Sequence, residues 1–200
     1  MKSKLYIFFV LFAMQSCVTG KFASAPEDFN YKKILSDNSK SYIYRAQIKL
    51  YDNDFSGLLV IKPGKDKSRI VFLNEIGMKF FDIELLKDSY TIHHIFTPVN
   101  KKMFIKLLVN DFRFMLMSGT DTKTHYLKEK KTENPALQIK KAKEIFIFDK
   151  QTLLPKKALK YSLYGKHTFI NYDKYINDIP QTIYIRHKRI KFEMKLNFLK

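Results

Sequence analysis

The chain has 200 residues, with 37 Lys and Arg against 19 Asp and Glu, a net charge of +18 and a single cysteine. A hydrophobic content of 46% with 15% aromatics is enough for one packed core, which excludes disorder throughout, and a lone cysteine excludes an internal disulfide. Arginine occurs only at Arg45, Arg69, Arg113, Arg186 and Arg189; base and phosphate recognition favours its planar fork, so nucleic acid is not an expected partner.

The chain opens with Lys2 and Lys4, ten apolar residues from Leu5 to Met14, then Gln15, Ser16 and Cys17. A charged start, a short apolar run and small residues near its end have the shape of a secretory signal. The run is shorter than the roughly 20 residues a transmembrane helix needs. Ser16 before Cys17 fits a lipoprotein-type signal, in which the cysteine becomes the acylated (palmitate-type) first residue. The other reading is an ordinary signal cut after Ala23 or Ala25, with Cys17 discarded. The expected organisation is a signal peptide over 1–16, a lipidated tether over 17–26 and one domain over 27–200. Loss of 1–16 removes two lysines and no acid, leaving a charge of +16.

Phe29, Tyr31, Ile34 and Leu35 recur at near-helical spacing and predict a short helix over 27–36. The period then drops to two. Segments 42–51, 55–62, 68–76, 78–86 and 89–97 are rich in β-branched and aromatic residues and are separated by short turn signals, which predicts an antiparallel meander. In the next segment Phe104, Leu108, Phe112 and Met115 fall on one helical face, so a helix over about 101–117 is expected, closing near Gly119. The lysine-rich stretch 120–143 is weakly patterned and reads as a mobile loop, with room for one short strand at 124–130.

Strands resume at 144–149, 156–165, 167–176, 181–188 and 189–199. In the last, Ile190, Phe192, Met194, Leu196 and Phe198 alternate with Lys191, Glu193, Lys195 and Asn197, giving one dry and one wet face. The expected fold class is mainly β (α+β). It is a strongly curved antiparallel sheet of ten or eleven strands, an open half-barrel lidded by one inserted helix and one N-terminal helix.

Motifs for catalysis are missing. His93 and His94 are adjacent on a strand, point to opposite faces and cannot share a metal. Asp52-Asn53-Asp54 lacks the glycine and distant glutamate of a calcium loop. No phosphate loop, nucleophile elbow or zinc-protease motif occurs. No enzyme activity, metal or cofactor is expected. Instead apolar residues are in surplus: Phe72, Phe81, Ile83, Ile92 and Phe96 on successive strands, and Phe104, Leu108 and Phe112 on the helix. A curved sheet lined this way can enclose an apolar cavity, and a helix that fills it would make the same residues ordinary core.

Four elements carry a family resemblance. The strand from Phe55 to Leu59 centred on Gly57, the turn at Gly77, the helix closing at Gly119, and Pro180 to Ile183 leading into Ile190 to Phe198 together resemble the LolA/LolB family of bacterial lipoprotein carriers and receptors. The resemblance implies an open β-cup on an outer-membrane, periplasm-facing lipoprotein, consistent with Cys17 as lipid anchor. This chain has no Trp, and its Pro63 to Lys67 loop is charged where the receptor has an apolar one, which favours the same cup with another cargo.

The function expected is therefore a monomeric lipoprotein that binds acyl chains of a lipoprotein or lipid and takes part in lipid or lipoprotein trafficking. Its floor would be Phe72, Phe81, Ile83, Ile92 and Phe96, and its lid Phe104, Leu108 and Phe112. The alternative is a non-enzymatic structural lipoprotein with a filled core, whose basic face meets an acidic protein or anionic lipid.

Overall fold

The computed structural model describes residues 21–25, 29–97, 100–118, 124–162 and 165–200. Cys17, the apolar run before it and Gly119 lie outside them. Among the described residues thirteen strands form one sheet: β1 Phe22–Ser24, β2 Tyr42–Leu50, β3 Asn53–Lys62, β4 Lys67–Asn74, β5 Lys79–Leu86, β6 Tyr90–Ile95, β7 Thr124–Glu129, β8 Pro135–Ile139, β9 Glu144–Phe148, β10 Pro155–Ser162, β11 Gly165–Ile176, β12 Ile179–His187 and β13 Phe192–Phe198. Helix α1, Lys102–Met115, is inserted between β6 and β7.

The strand order is β1-β7-β8-β9-β10-β11-β12-β13-β2-β3-β4-β5-β6. Every pairing is antiparallel. The sheet is curved and unclosed, with β1 and β6 as free edges, so it is an open half-barrel. Two runs of neighbouring strands are joined through β13–β2, which brings the last strand beside the first long one.

Side-chain alternation sets the inside. Tyr44, Leu59, Phe72 and Phe81 lie opposite one another across β2 to β5 and are all fully buried. Ile170, Ile183, Met194 and Ala46 continue the same face on β11, β12, β13 and β2. These side chains and α1 make one core. On β8 to β10 the opposite face is buried too: Ala136, Ile145, Ile147 and Leu159 gather around Phe22 in a second, smaller cluster.

Three expectations are corrected. Residues 29–36 are not helical. Phe29 meets Phe148 edge-on and Tyr31 meets it tilted, the Lys32 N–H donates to the Leu153 carbonyl at 3.0 Å, and Leu35 takes φ 49°. A helix of ten residues is marginal alone, and these tertiary contacts outweigh it. The described part of 120–143, residues 124–143, is not a loop: it supplies β7, where a short strand was allowed, and also β8, whose Leu137 and Ile139 face the main core. Residues 22–24, expected in the tether, pair with β7 as the sheet edge.

Antiparallel alternation divides the turns between two ends. The β2–β3, β4–β5, β8–β9 and β12–β13 turns share the first end. The β3–β4, β5–β6, β9–β10 and β11–β12 turns share the second. At the first end the Tyr51 N–H donates to the Lys191 carbonyl at 2.7 Å, joining two turns. The β4–β5 turn needs its glycine, since Gly77 has φ 79°.

Candidate functional site

Helix α1 lies against the concave face with Phe104, Ile105, Leu108, Val109, Phe112 and Phe114 buried, while Met103, Lys106 and Asn110 keep one stripe exposed. Lys101 offers no side-chain cap and the first turn holds no acid, so packing and a few polar ties fix the helix rather than its own termini. The Phe112 ring meets Phe81 of β5 at 5.9 Å, and Phe114 meets Phe146 of β9 at 5.3 Å. The Tyr172 hydroxyl donates to the Met115 carbonyl at 2.9 Å. Arg113 Nη2 donates to the carbonyls of Leu86 and Ser89 at 3.0 and 2.5 Å, tying the last helical turn to the β5–β6 turn.

A third tie is a buried polar pair that the sequence reading does not include. Asp111, buried on α1, lies 2.8 Å from Nε2 of buried His187 on β12. His187 Nδ1 is 3.4 Å from the Thr168 hydroxyl, which is 2.7 Å from His167 Nδ1. Burial pushes the Asp111 carboxyl above its ordinary range, with the His187 contact pulling the other way. Burial also lowers the His167 imidazole. Thr168 is fully buried and His167 half-buried, so the row runs from the core outward, with His187 reaching the wall of a cleft at the first end. A signal was present: Asp111 stands three residues after Leu108 on the apolar stripe, and His187 two after Ile185 on the inward phase of its strand.

Of the eight expected cup residues, Phe72, Phe81, Ile83, Phe104, Leu108 and Phe112 come together in the core between α1 and the sheet. Phe96 packs on Phe80 at 5.1 Å and is half-buried. Ile92 stands apart on edge strand β6, 37% exposed. Phe72, Phe81, Ile83, Leu108 and Phe112 have no exposed surface, so α1 packs closely on this part of the sheet.

Open space lies at the second end. A cleft of about 550 Å³ runs between the 33–38 segment, the β3–β4 and β5–β6 turns and the end of α1. Its floor is apolar, from Ile34, Leu35, Leu85, Leu116 and Met117, and its rim is charged, from Lys33, Lys65, Lys67, Lys87, Asp66 and Asp88. The volume is within the range of about 300–1,000 Å³ usual for ligand pockets. None of the eight expected residues lines it.

Among the described residues no group of three or more His, Cys, Asp or Glu could hold a metal. His93 instead faces Glu84 at 3.7 Å. Among the same residues no helix is long and apolar enough to cross a membrane.

No family model and no curated relative matches the chain. Among solved structures it is similar to an outer membrane lipoprotein-sorting protein domain from Vibrio parahaemolyticus, at 13% identity over 82% of this chain and 85% of that one, TM-score 0.48. It is also similar to a DUF1329 family protein from Desulfovibrio piger, at 12% identity over the same shares, TM-score 0.45. The open curved sheet with one inserted helix is the mainly β half-barrel expected from the sequence.

Proposed function

We propose that this chain is a lipid-anchored envelope protein that accepts an acyl chain of a lipoprotein or lipid and passes it on without chemistry. The observation that carries the reading is the second-end cleft, whose apolar floor and charged rim match an amphiphile with an anionic head. Its floor is continuous with α1, since Leu116 and Met117 follow the helix directly. The chain end enters there, and fuller uptake shifts α1 so that Phe104, Leu108 and Phe112 trade contacts with one another for contacts with the ligand. Each buried methylene contributes roughly 0.8 kcal/mol, so a chain partly buried here moves readily to a deeper site elsewhere. Cys17 is the anchor in this reading, and the outer membrane, facing the periplasm, is the location.

A fluorescent fatty-acid probe tests the reading on the full chain. Leu86 lines the cleft and is half-buried, so Leu86→Glu places a charge there without emptying the core. Saturable binding, weakened about tenfold or more by Leu86→Glu, supports the proposal; the figure follows from opposing a charge to buried methylenes. Binding that Leu86→Glu leaves unchanged, or no binding at all, overturns it. The second outcome would favour the filled-core lipoprotein with a basic interaction face, a reading supported by the tight packing of Phe81 on Phe112.

A further inference from the structure

The first end of the half-barrel carries a separate cleft of about 480 Å³, formed by the β12–β13 and β2–β3 turns. Five cations line it: Lys49, Arg186, Lys188, Arg189 and Lys191. Two carboxylates, Asp52 and Glu193, share the lining, and the ion pairs they form with Arg186 and Lys191 are long. Arg186 Nε is 3.6 Å from Glu193, and Lys191 Nζ is 3.9 Å from Asp52, beyond hydrogen-bond length. The scaffold beneath is fixed. The Tyr51 N–H donates to the Lys191 carbonyl at 2.7 Å, and the Lys188 N–H to the His167 carbonyl at 2.8 Å. A concave surface with excess cations concentrates the field on an anion.

We infer that this cleft holds the phosphate of an anionic lipid headgroup and seats the first end of the domain on a bilayer. The adjoining turns choose the lipid over a soluble phosphate. By strand order the β12–β13, β2–β3 and β4–β5 turns follow one another along this end. The β2–β3 turn exposes Tyr51 by 50%, and the β4–β5 turn exposes Ile76 by 85% with Met78 beside it. A free phosphate or a nucleic acid requires the cations alone. A bilayer surface takes cations at headgroup level, an aromatic at the interface and an apolar tip below it. The inference stands apart from acyl uptake, which uses the other end.

The test is vesicle flotation of the full chain carrying Cys17→Ser, which removes any acyl anchor. Vesicles are phosphatidylcholine with or without phosphatidylglycerol. The cleft variant is Lys188→Gln, Arg189→Gln, Lys191→Gln; the control is Lys130→Gln, Lys131→Gln, Lys150→Gln, exposed lysines at the second end with the same charge change. Ile76→Asp probes the apolar tip. The expected result is flotation only with phosphatidylglycerol, weakened about tenfold or more by the cleft variant and by less than about twofold in the control. Ile76→Asp weakens it as well, and inorganic phosphate releases no more protein than chloride at equal ionic strength. Equal loss in both triple variants would mean net charge alone acts, and would overturn the site. Release by inorganic phosphate well beyond chloride, or no flotation, would overturn the lipid assignment.

Discussion

Asp111 Oδ2 and His187 Nε2 sit 2.8 Å apart inside the half-barrel, joining the inserted helix to β12. Both partners are buried, so removing one leaves the other without its hydrogen bond. Asp111→Leu is expected to lower stability at pH 7 by about 1–3 kcal/mol. Asp111→Asn keeps an acceptor for His187 and avoids the buried charge, so its cost is smaller. The pH dependence has a definite sign. A carboxyl raised in the folded state contributes most below its ordinary value of 3.8, and that contribution is lost as pH rises through the folded value. Denaturant titrations should therefore show wild type losing stability relative to Asp111→Asn as pH rises above about 4. A constant difference across that range would mean the carboxyl is not raised.

The same residues show what could be read in advance. Runs of β-branched and aromatic residues bounded by turn signals located ten of the thirteen strands described, most clearly where one face is dry, as in β2 and β13, and helical spacing located α1. Phe29 to Leu35 misled because their spacing fits a helix while their partners, Phe148 and the core, lie far away in sequence. The strand at Thr124–Glu129 falls where a short strand was allowed, whereas Pro135–Ile139 was hidden by its shortness and by the lysines on either side of it. Apolar phase identified Phe72, Phe81 and Phe112 as inward residues, but phase carries no volume. Whether the helix fills the cup or leaves it open depends on packing, and the cleft at the second end arises from turns that are distant in sequence.

Asp82 gives a pH effect of the opposite sign. It is buried between Phe81 and Ile83 on the outward phase of β5, where Arg69 donates to it twice, at 2.9 and 3.0 Å, and Lys79 once, at 2.9 Å. The Arg69 hydrogen bonds, foremost, hold its carboxyl down at about 2. The stabilisation is present above the ordinary value of 3.8 and is lost as pH falls toward 2. Asp82→Asn is expected to cost about 2 kcal/mol at pH 7, read as a fall in Tm of about 4–8 °C. The gap to wild type should close between pH 4 and pH 2, as wild type protonates. A gap that persists at pH 2 would assign the loss to packing.

Gly57 owes its place to a close backbone approach. A Cβ there would lie 2.0 Å from the Leu73 carbonyl oxygen of β4, next to the register shift between Phe72 and Leu73 in the β4–β5 pairing. Main chain cannot yield as a flexible side chain can, so β3 and β4 would have to separate. Gly57→Ala should cost about 2–3 kcal/mol or more, at the upper range for overpacking. Ser56→Ala, on the solvent side of the same strand, should cost less than about 1 kcal/mol even though it removes a hydrogen bond to Glu75. Equal melting temperatures for Gly57→Ala and wild type would show that β4 can move aside.

Phe112 separates a residue that only fills space from one that also gates the cleft. Its ring meets Phe81 at 5.9 Å, and it stands one turn before Leu116, which lies on the cleft floor. Phe112→Ala is expected to lower stability by about 3–5 kcal/mol, as for other buried Phe truncations. The void it leaves adjoins the acyl end of the proposed path. If α1 yields to a ligand, a fatty-acid probe should bind Phe112→Ala as tightly as wild type or more tightly, and should raise its Tm by more, because the ligand methylenes replace the lost ring contacts. Loss of stability together with loss of probe binding would instead show that the ring is needed to keep the cleft in shape, and that the ligand never reaches the space beneath the helix.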